Sequence, residues 1–286
     1  MMIDQGRAKG DDTIWAPLNY VDPGGIEGTN FTFTFDHQWT GVPAATQIMP
    51  IVDACSLTMP AQLRSEGFEQ VHIDCPPLSN LPPEFIEDHW RPALFAAIRN
   101  LTGADMVIGW GFSARFSERK MDVERTDVSN PARRVHGDFS PTEFGEVIRH
   151  PPCLDAIAAV ADGRTLCRWI GINAWQPFSA PPYDTPLAVC DARTVSPRDL
   201  NVGRGRAPSR PDLAIDLPFF AFNPNHRWHY FSTFEPNEAL LFIGLDSACP
   251  GTWRLVPHTA FDSPECPADA PPRCSVEMRT MALFFE

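Results

Sequence analysis

Two histidines and one aspartate in this sequence have the residue types and the spacing of a metal-binding set. His136 and Asp138 are separated by a single residue, and His258 lies far downstream. Residues i and i+2 of a β-strand point to the same side, so the side chains of His136 and Asp138 can reach one ion together. Two imidazoles and one carboxylate are the ligand set of non-haem ferrous centres, and they leave one face of the ion open. These three residues are therefore the predicted metal site.

The His-x-Asp pattern also occurs at His72-Ile73-Asp74, so the tripeptide by itself does not choose between the two positions. The copy at His136 is favoured because residues 140–143, Ser-Pro-Thr-Glu, form a capping box with proline at the first helical position. The predicted metal strand would then lead directly into a helix. For His72 and Asp74 we expect a half-exposed strand in which they alternate with apolar neighbours.

Further side chains are candidates for binding organic ligands. His226 is the alternative to His258 as third metal ligand, and is otherwise expected in a loop just before a strand, at the edge of a pocket. Arg273 and Arg279 lie six residues apart on one predicted strand, so both can face the same side and hold a carboxylate of a dicarboxylate ligand. The aromatic candidates for lining the pocket, with core packing as the alternative, are Trp175, Tyr230 and Phe139.

Composition excludes several classes of function. A net charge of −13 argues against a nucleic-acid partner, and eight cysteines without a C-x-x-C pair argue against a zinc ribbon. No apolar stretch is long enough to cross a bilayer and the first residues have no apolar signal core, so we expect a cytoplasmic protein with reduced thiols and no membrane partner. The 30 prolines favour a β-rich fold with long loops.

The elements that must position these residues are mostly short strands. An apolar stripe at helical spacing, ended by Gly103, predicts a helix near residues 83–101 that packs against a sheet. Residues 1–50 are expected to be loop-rich apart from a strand at 31–35, and residues 199–211 are expected to be a surface excursion. A second short helix is predicted near residues 154–161, and further strands are predicted at residues 104–116, 166–175, 186–191, 227–232, 239–245, 253–261 and 274–285.

This order of elements predicts a single α+β, mainly β domain over residues 1–286. Residues 1–50 would form an N-terminal extension, and residues 51–286 a jelly-roll core supported by helices. The pair Gly109 and Gly111 lacks the third glycine and the following helix of a dinucleotide-binding loop, so such a site is not supported.

Several stretches of the sequence, in the same order along the chain, resemble the gibberellin desaturase and cephamycin methoxylase-component family of fungi and bacteria. Together these stretches cover roughly residues 50–286, and the whole set in this order indicates the family more specifically than any single stretch. The stretches are residues 134–140, 173–177, 186–193, 223–231, 237–242 with 246–247, 258–261 and 272–279.

The members of that family are ferrous, 2-oxoglutarate-dependent oxygenases or their close relatives, and their fold is a double-stranded β-helix. The resemblance therefore implies Fe(II), 2-oxoglutarate and dioxygen, with His136, Asp138 and His258 as iron ligands. It also implies hydroxylation or desaturation of a C–H bond in a small-molecule secondary metabolite. In related oxygenases the offset after the distal histidine favours Arg273 over Arg279 for the distal carboxylate of 2-oxoglutarate.

One position departs from the family pattern, which usually reads Asn-x-Trp-Arg-Pro. This chain has Gln176 in place of the arginine, so a neutral amide replaces a cation at an expected substrate-binding position. Two alternatives stay open: a non-catalytic or accessory subunit of the same fold, and a metal oxidase that does not use 2-oxoglutarate. The expected assembly is a homo- or heterodimer.

Overall fold

The computed structural model describes residues 12–22, 30–33, 39–40, 42–78, 83–117, 128–140, 151–207, 210–249 and 255–286. More of these residues form strands than helices, as the alternating apolar segments of the sequence predict. The strands are β1 (Thr13–Val21), β2 (Asn30–Phe33), β3 (Trp39–Thr40), β4 (Ala44–Asp53), β5 (Phe68–His72), β6 (Met106–Phe116), β7 (Val128–Ser129), β8 (Leu166–Pro177), β9 (Leu187–Cys190), β10 (Leu200–Ala207), β11 (Arg210–Phe220), β12 (Trp228–Tyr230), β13 (Glu238–Asp246), β14 (His258–Ala260) and β15 (Cys274–Phe285).

The largest sheet contains six strands in the order β5-β13-β8-β15-β6-β7. Its neighbouring strands are antiparallel, except for the short parallel pair β6 and β7. One face of β8 is covered by helix, and the other face lines a cavity. Successive side chains of a strand point to opposite faces, so neighbouring side chains of β8 project to different sides of the sheet.

A helical segment packs on this sheet where the apolar stripe predicted one. It consists of α1 (Pro83–Phe85), a π-helical stretch (Ile86–Trp90) and α2 (Arg91–Thr102). It ends at Gly103, which has a left-handed φ of 75° and donates its N–H to the Arg99 carbonyl at 2.8 Å. The second predicted helix is confirmed as α3 (Pro151–Ala161). Across the described ranges, every helix is too short or too polar to serve as a membrane-spanning segment. The buried side chains of the apolar stripe are Ile86, Trp90, Leu94 and Ile98.

The remaining strands form a five-stranded sheet, β1-β4-β12-β9-β14, and a four-stranded sheet, β11-β10-β2-β3. The segment around His136 joins them, because His136 forms isolated bridges with His258 of β14 and with Phe219 of β11. Side chains from this joined layer and from the six-stranded sheet line one common cavity. The mainly β architecture with added helices agrees with the predicted fold class.

The expectation of a loop-rich segment over residues 1–50 is wrong for β1, β3 and β4. β1 pairs with β4 over nine residue pairs, from Thr13↔Val52 to Val21↔Ala44. The buried residues of β1 alternate with exposed ones, but Trp15 and Pro17 stand on its exposed face and obscure the pattern. Of the strand expected at residues 31–35, residues 31–33 belong to β2, and residues 34–35 lie outside the described part of the chain.

The expected surface excursion at residues 199–211 is also wrong, because β10 and β11 form an antiparallel pair there. The buried positions of β10 are Gly203 and Gly205, which alternate with the exposed Val202 and Arg204. Glycines on the inner face give no apolar signal, so the sequence has the composition of a loop while the backbone is that of a strand. The strand expected at residues 253–261 is shorter, since β14 spans only His258–Ala260.

Candidate metal centre

Backbone pairing brings His136 and His258 side by side although they are 122 positions apart in the sequence. The N–H of His136 donates to the His258 carbonyl at 3.1 Å, and the N–H of His258 donates to the His136 carbonyl at 2.9 Å. Their rings are 4.3 Å apart between centroids. His136 sits in this isolated bridge and Asp138 in a bend, so the continuous metal strand expected from the sequence is not formed. The expected helix after it falls on residues 141–150, which lie outside the described residues.

The carboxylate of Asp138 lies between the two imidazoles. The Oδ2 atom of Asp138 is 3.3 Å from the Nε2 atom of His258, and Oδ1 is 4.0 Å from the Nε2 atom of His136. One atom from each of the three residues can be chosen so that all lie within 4.8 Å of one another. Among the described residues this is the one group of three or more histidine, cysteine or acidic side chains arranged to hold an ion. His72 and Asp74 are exposed and are not part of it.

Both histidines are oriented by the backbone. The Nδ1 atom of His136 lies 2.6 Å from the Arg134 carbonyl oxygen, and the Nδ1 atom of His258 lies 3.3 Å from the Val256 carbonyl oxygen. A proton on Nδ1 satisfies these carbonyls and leaves the Nε2 lone pair as the metal-binding one. Burial, with a further contribution from His258, lowers the pKa of His136 to about 3, so the ring is neutral. Neutral imidazole is the form that binds a metal ion.

Arg279 holds the carboxylate of Asp138. Its Nη2 atom donates to Oδ1 at 2.6 Å. Burial alone raises the pKa of a carboxyl, but the Arg279 guanidinium together with His258 and His136 outweighs it, and the pKa of Asp138 lies well below its ordinary range. Room for the guanidinium comes from Gly111, which has a φ of 66° and where an added Cβ would lie 3.3 Å from the Nη1 atom of Arg279. Arg279 therefore binds a protein carboxylate rather than standing ready for a ligand.

Arg273 differs from Arg279 in having no bound carboxylate among the described residues. It is 1% exposed, forms no ion pair within the described part of the chain, and its Nε and Nη2 atoms have no hydrogen-bond partner there. Its Nη1 atom donates to the Ser275 hydroxyl at 2.7 Å, and its guanidinium lies 5.5 Å from the ring centroid of Trp175. Burial lowers the pKa of Arg273 to about 10, which still leaves it charged at neutral pH. An unpaired buried cation is costly, so this side chain is suited to an anionic ligand.

A second charged pair borders the same cavity. Arg115 donates from Nε to the Oε2 atom of Glu277 at 2.6 Å and also bonds its Oε1 atom. Burial alone raises the pKa of the Glu277 carboxyl, but Arg115 outweighs it and the net pKa is lowered. The cavity measures about 30 Å³, and its lining includes the three candidate ligands together with Arg115, Trp175, Arg273, Glu277 and Arg279.

Comparison with known proteins places the chain in a family. A family model described as YDMC, "Oxidoreductase/YMDC permease-like domain", matches residues 15–283. The Fe(II)/2-oxoglutarate-dependent dioxygenase nvfI of Aspergillus novofumigatus is 30% identical over 200 residues, which cover 69% of this chain and 67% of the relative. The chain belongs to the family of these dioxygenases.

One further relative and one solved structure are also similar to this chain. The hydroxylase/desaturase efuI of Hormonema carpetanum is 29% identical over 258 residues, which cover 84% of each chain. A solved structure of the iron and alpha-ketoglutarate-dependent endoperoxidase NvfI superposes with a TM-score of 0.75 at 21% identity, over 96% of this chain and 99% of that one. At this identity the superposition shows a shared fold.

Three residues expected near the ligand pocket lie elsewhere, which corrects the sequence interpretation. Gln176 follows Trp175 on β8 and points to the helix side, where it accepts from Trp90 Nε1 at 2.7 Å and donates to the Pro236 carbonyl at 2.9 Å. His226 is buried against Tyr20 and Asp199. Tyr230 packs on Phe261 in a separate apolar cluster. Phe139 also belongs to a core cluster, as its alternative interpretation allowed.

Three polar cavity residues, Arg115, Asn173 and Glu277, were not singled out from the sequence. For Glu277 the sequence holds a simple signal: Arg273, just before β15, and Ser275, Glu277 and Arg279 on it stand at every second position and so face one side of the strand. Applied to the whole strand, that rule would have added Ser275 and Glu277 to the two arginines. Arg115 and Asn173 come from β6 and β8, and only the pairing of those strands with β15 reveals them.

Proposed function

We propose that this chain is a ferrous, 2-oxoglutarate-dependent oxygenase that oxidises a C–H bond of a small-molecule secondary metabolite. One observation supports this above all others. A buried set of two histidines and one aspartate shares a cavity with Arg273, a buried arginine without an ion-pair partner among the described residues. The first group suits a divalent metal and the second suits a carboxylate, which together are the requirements of a metal enzyme with an acidic co-substrate.

His136, Asp138 and His258 would hold the ferrous ion. Two neutral imidazoles and one carboxylate fit Fe(II), because they supply three ligands and leave positions for exchangeable ones. When bound, the ion supplies the oxidation chemistry, drawing on dioxygen and on the electrons released by decarboxylation of 2-oxoglutarate. The chain contributes orientation: the carbonyls of Arg134 and Val256 fix the two rings, and Arg279 fixes the carboxylate.

Arg273 would bind the distal carboxylate of 2-oxoglutarate. Its planar fork can donate two parallel hydrogen bonds, and Nε and Nη2 are the adjacent pair that has no partner in the described ranges. Ser275 holds the third nitrogen at 2.7 Å, which fixes the plane of the fork. Arg279 is less suited to this task because its charge is already matched by Asp138.

Arg115 and Glu277 would set the charge around the co-substrate. A bare carboxylate at Glu277 would repel the dianion, and Arg115 neutralises it through a two-pronged contact. Among the described residues that line the cavity, this pair leaves Arg273 as the cation without an acidic partner. Since the remaining charges cancel in pairs, the dianion is directed to Arg273.

The finer features of the proposal concern substrate, assembly and location. Trp175 lines the cavity beside Arg273 and is the proposed substrate-contacting aromatic. The relatives named hydroxylase/desaturase and endoperoxidase differ in outcome, so the position of the substrate would decide which product this chain forms. The proposal has four further parts. The chain would belong to the narrower gibberellin desaturase and cephamycin methoxylase-component family, and its core would be a double-stranded β-helix in one domain. It would also form a dimer and lie in the cytoplasm.

The deciding experiment measures 2-oxoglutarate binding to the ferrous protein without oxygen, through the charge-transfer absorption that a metal-bound 2-oxo acid produces. We expect the band in the unsubstituted protein. In Arg273→Met, 2-oxoglutarate affinity should fall by at least about thirtyfold, since cutting one side of a buried charge pair costs about 2–5 kcal/mol. Arg273→Lys should restore only part of it, because an ammonium lacks the fork. The matched control is Arg99→Met, on the exposed side of α2, which should bind normally.

The alternatives give different results in the same experiment. Iron binding without a 2-oxoglutarate band would indicate a metal oxidase that does not use this co-substrate. A protein that binds no iron would be a non-catalytic or accessory subunit of the same fold. If Arg273→Met bound 2-oxoglutarate normally while the unsubstituted protein also bound it, the assignment of Arg273 would be wrong and the oxygenase proposal would stand.

A further inference from the structure

Gly244 lies in β13 at an irregularity in the pairing of that strand with β8. The register shifts by one residue between Ile243 and Leu245, so Gly244 is the extra residue of a β-bulge. Gly244 is buried, and an added Cβ would overlap the ring of Phe139 at Cδ2 and Cε2 and lie 3.1 Å from its Cγ atom. The ring can therefore lie where it does only because residue 244 has no side chain.

Phe139 is the residue directly after the candidate ligand Asp138. Its side chain is 4% exposed and packs in an apolar cluster with Leu245, the residue that follows the bulge. Because Phe139 and Asp138 are adjacent in the chain, a displacement of the ring away from β13 would also move the backbone that carries the carboxylate. The bulge therefore supports the position of one candidate ligand.

The two residues before Gly244 support a second candidate ligand, His258. The Val256 N–H donates to the Ile243 carbonyl at 2.9 Å, and the Val256 carbonyl oxygen lies 3.3 Å from the Nδ1 atom of His258. The ring of Phe242 lies 4.7 Å from the ring of His258 between centroids. Three consecutive residues of β13 thus contact the surroundings of both ligands.

The backbone of β13 is held in place at the bulge. Besides accepting from Val256, Ile243 donates its own N–H to the Gly67 carbonyl at 2.8 Å. Gly67 has a left-handed φ of 91°, and an added Cβ there would lie 2.7 Å from the Cγ2 atom of Val256. Since both backbone groups of Ile243 are bonded to packed segments, the bulge has little freedom to move away from an enlarged residue 244.

We infer that the bulge at Gly244 is a positioning element that sets the distance between Asp138 and His258. It acts on Asp138 through the Phe139 ring, and on His258 through the hydrogen bond accepted by the Ile243 carbonyl. Metal–ligand distances are fixed to within about 0.2 Å, so a small displacement of either ligand weakens metal binding. The inference rests on the proposed metal centre and does not depend on the co-substrate.

The test measures metal binding by variants of the full chain. Gly244→Ala adds the Cβ that overlaps the ring, Phe139→Leu replaces the ring by methyl groups that can rotate away, and a double variant combines the two changes. Anaerobic calorimetry with Fe(II) gives the affinity, and the visible absorption spectrum of the Co(II) form reports the coordination geometry. The matched control is Gly109→Ala in β6, where an added Cβ would lie 2.8 Å from both Phe95 Cζ and Met278 Sδ.

We expect Gly244→Ala to weaken Fe(II) binding by about 10- to 100-fold, the range for outer partners of a metal site, and to change the Co(II) spectrum. Phe139→Leu should cause a smaller loss. The double variant should bind Fe(II) as tightly as Phe139→Leu alone, because the added Cβ no longer meets a ring. Gly109→Ala should lower the melting temperature through overpacking and leave the Fe(II) affinity and the Co(II) spectrum unchanged.

Several results would overturn the inference. Normal Fe(II) affinity and an unchanged Co(II) spectrum in Gly244→Ala would make the bulge a packing feature only, whatever happens to the melting temperature. A double variant without recovery would show that the effect does not pass through Phe139. If Gly244→Ala did not fold, Phe139→Leu would decide, and normal metal affinity in that variant would refute the inference. An unsubstituted protein that bound neither Fe(II) nor Co(II) would refute the proposed metal centre as well, which distinguishes that failure from the others.

Discussion

The chain contains the His-x-Asp pattern at two places whose surroundings differ in almost every property that metal binding requires. His72 and Asp74 lie at and just beyond the end of β5, an edge strand, and both are exposed. The other pair, His136 and Asp138, is largely enclosed, and its neighbours supply a second histidine and the guanidinium of Arg279. Spacing fixes only the direction of two side chains. The third ligand, the burial and the matching charge come from strands that are distant in sequence.

The middle residue of each copy adds to the contrast. Ile73 is fully buried in the main apolar core, so the first copy uses its central position for packing while its flanking side chains face solvent. Gly137 has no side chain, and an added Cβ would lie 3.0 Å from Leu255 Cδ1 and 3.2 Å from Pro218 Cγ. The second copy therefore needs a small central residue so that the backbone can approach these neighbours.

The largest expected effect separates the two aspartates. Asp138→Ala should abolish ferrous binding, a greater loss than the roughly 10- to 100-fold that outer partners of a metal site contribute. The fold should persist, because Arg279 is partly exposed and can be solvated. Asp74→Ala should keep full iron content. Iron analysis of both purified variants checks this, and a metal-replete Asp138→Ala would remove the basis of the proposed site.

The middle residues of the two copies, Ile73 and Gly137, should differ in their effects on stability and on iron binding. Ile73→Ala should lower the free energy of unfolding by about 2–5 kcal/mol through the cavity it leaves, with iron affinity unchanged. Gly137→Ala should cost up to about 1–3 kcal/mol by overpacking against Leu255 and Pro218. It should also weaken iron binding, since it displaces the backbone between two ligands. Urea denaturation and iron titration of the two variants check these expectations. Equal losses of stability, with normal iron binding in both variants, would contradict them.

The charge partner of Asp138 has no counterpart at Asp74 among the described residues. Arg279→Met should lower ferrous affinity by about 10- to 100-fold, because the carboxylate loses the contact that orients it. Its effect on 2-oxoglutarate affinity at saturating iron should be smaller than that of Arg273→Met. Titration with Fe(II) and then with 2-oxoglutarate separates the roles of the two arginines. A rise in the iron affinity of Arg279→Met would mean that repulsion between the guanidinium and the metal ion outweighs the benefit of orienting the Asp138 carboxylate.

The sequence predicted well those features that depend on local periodicity. The helix over residues 83–102 and the strands β6, β8, β13 and β15 lie where their apolar patterns indicated. It also singled out His136, Asp138 and His258, which the fold brings together, while their role as metal ligands stays a prediction. It failed at β10, where glycines occupy the inner face, and it could not choose the face of a strand. Trp175 and Gln176 are adjacent, so only one can face the cavity, and the choice depends on where the helix packs.

The smallest expected effect concerns His72, and it is the most direct check on the choice between the two copies. Its exposed ring meets the amide of Asn237 at 3.3 Å, a contact that solvent can replace. His72→Ala should therefore change the free energy of unfolding by no more than about 0.5 kcal/mol. Iron content and 2-oxoglutarate binding should match those of the unsubstituted protein. The same measurements on His136→Ala should show iron lost, because that ring is enclosed beside His258 and Asp138. Iron retained in His136→Ala and lost in His72→Ala would mean that the metal is bound at the exposed edge of the sheet, and that burial, the second histidine and Arg279 do not select the site.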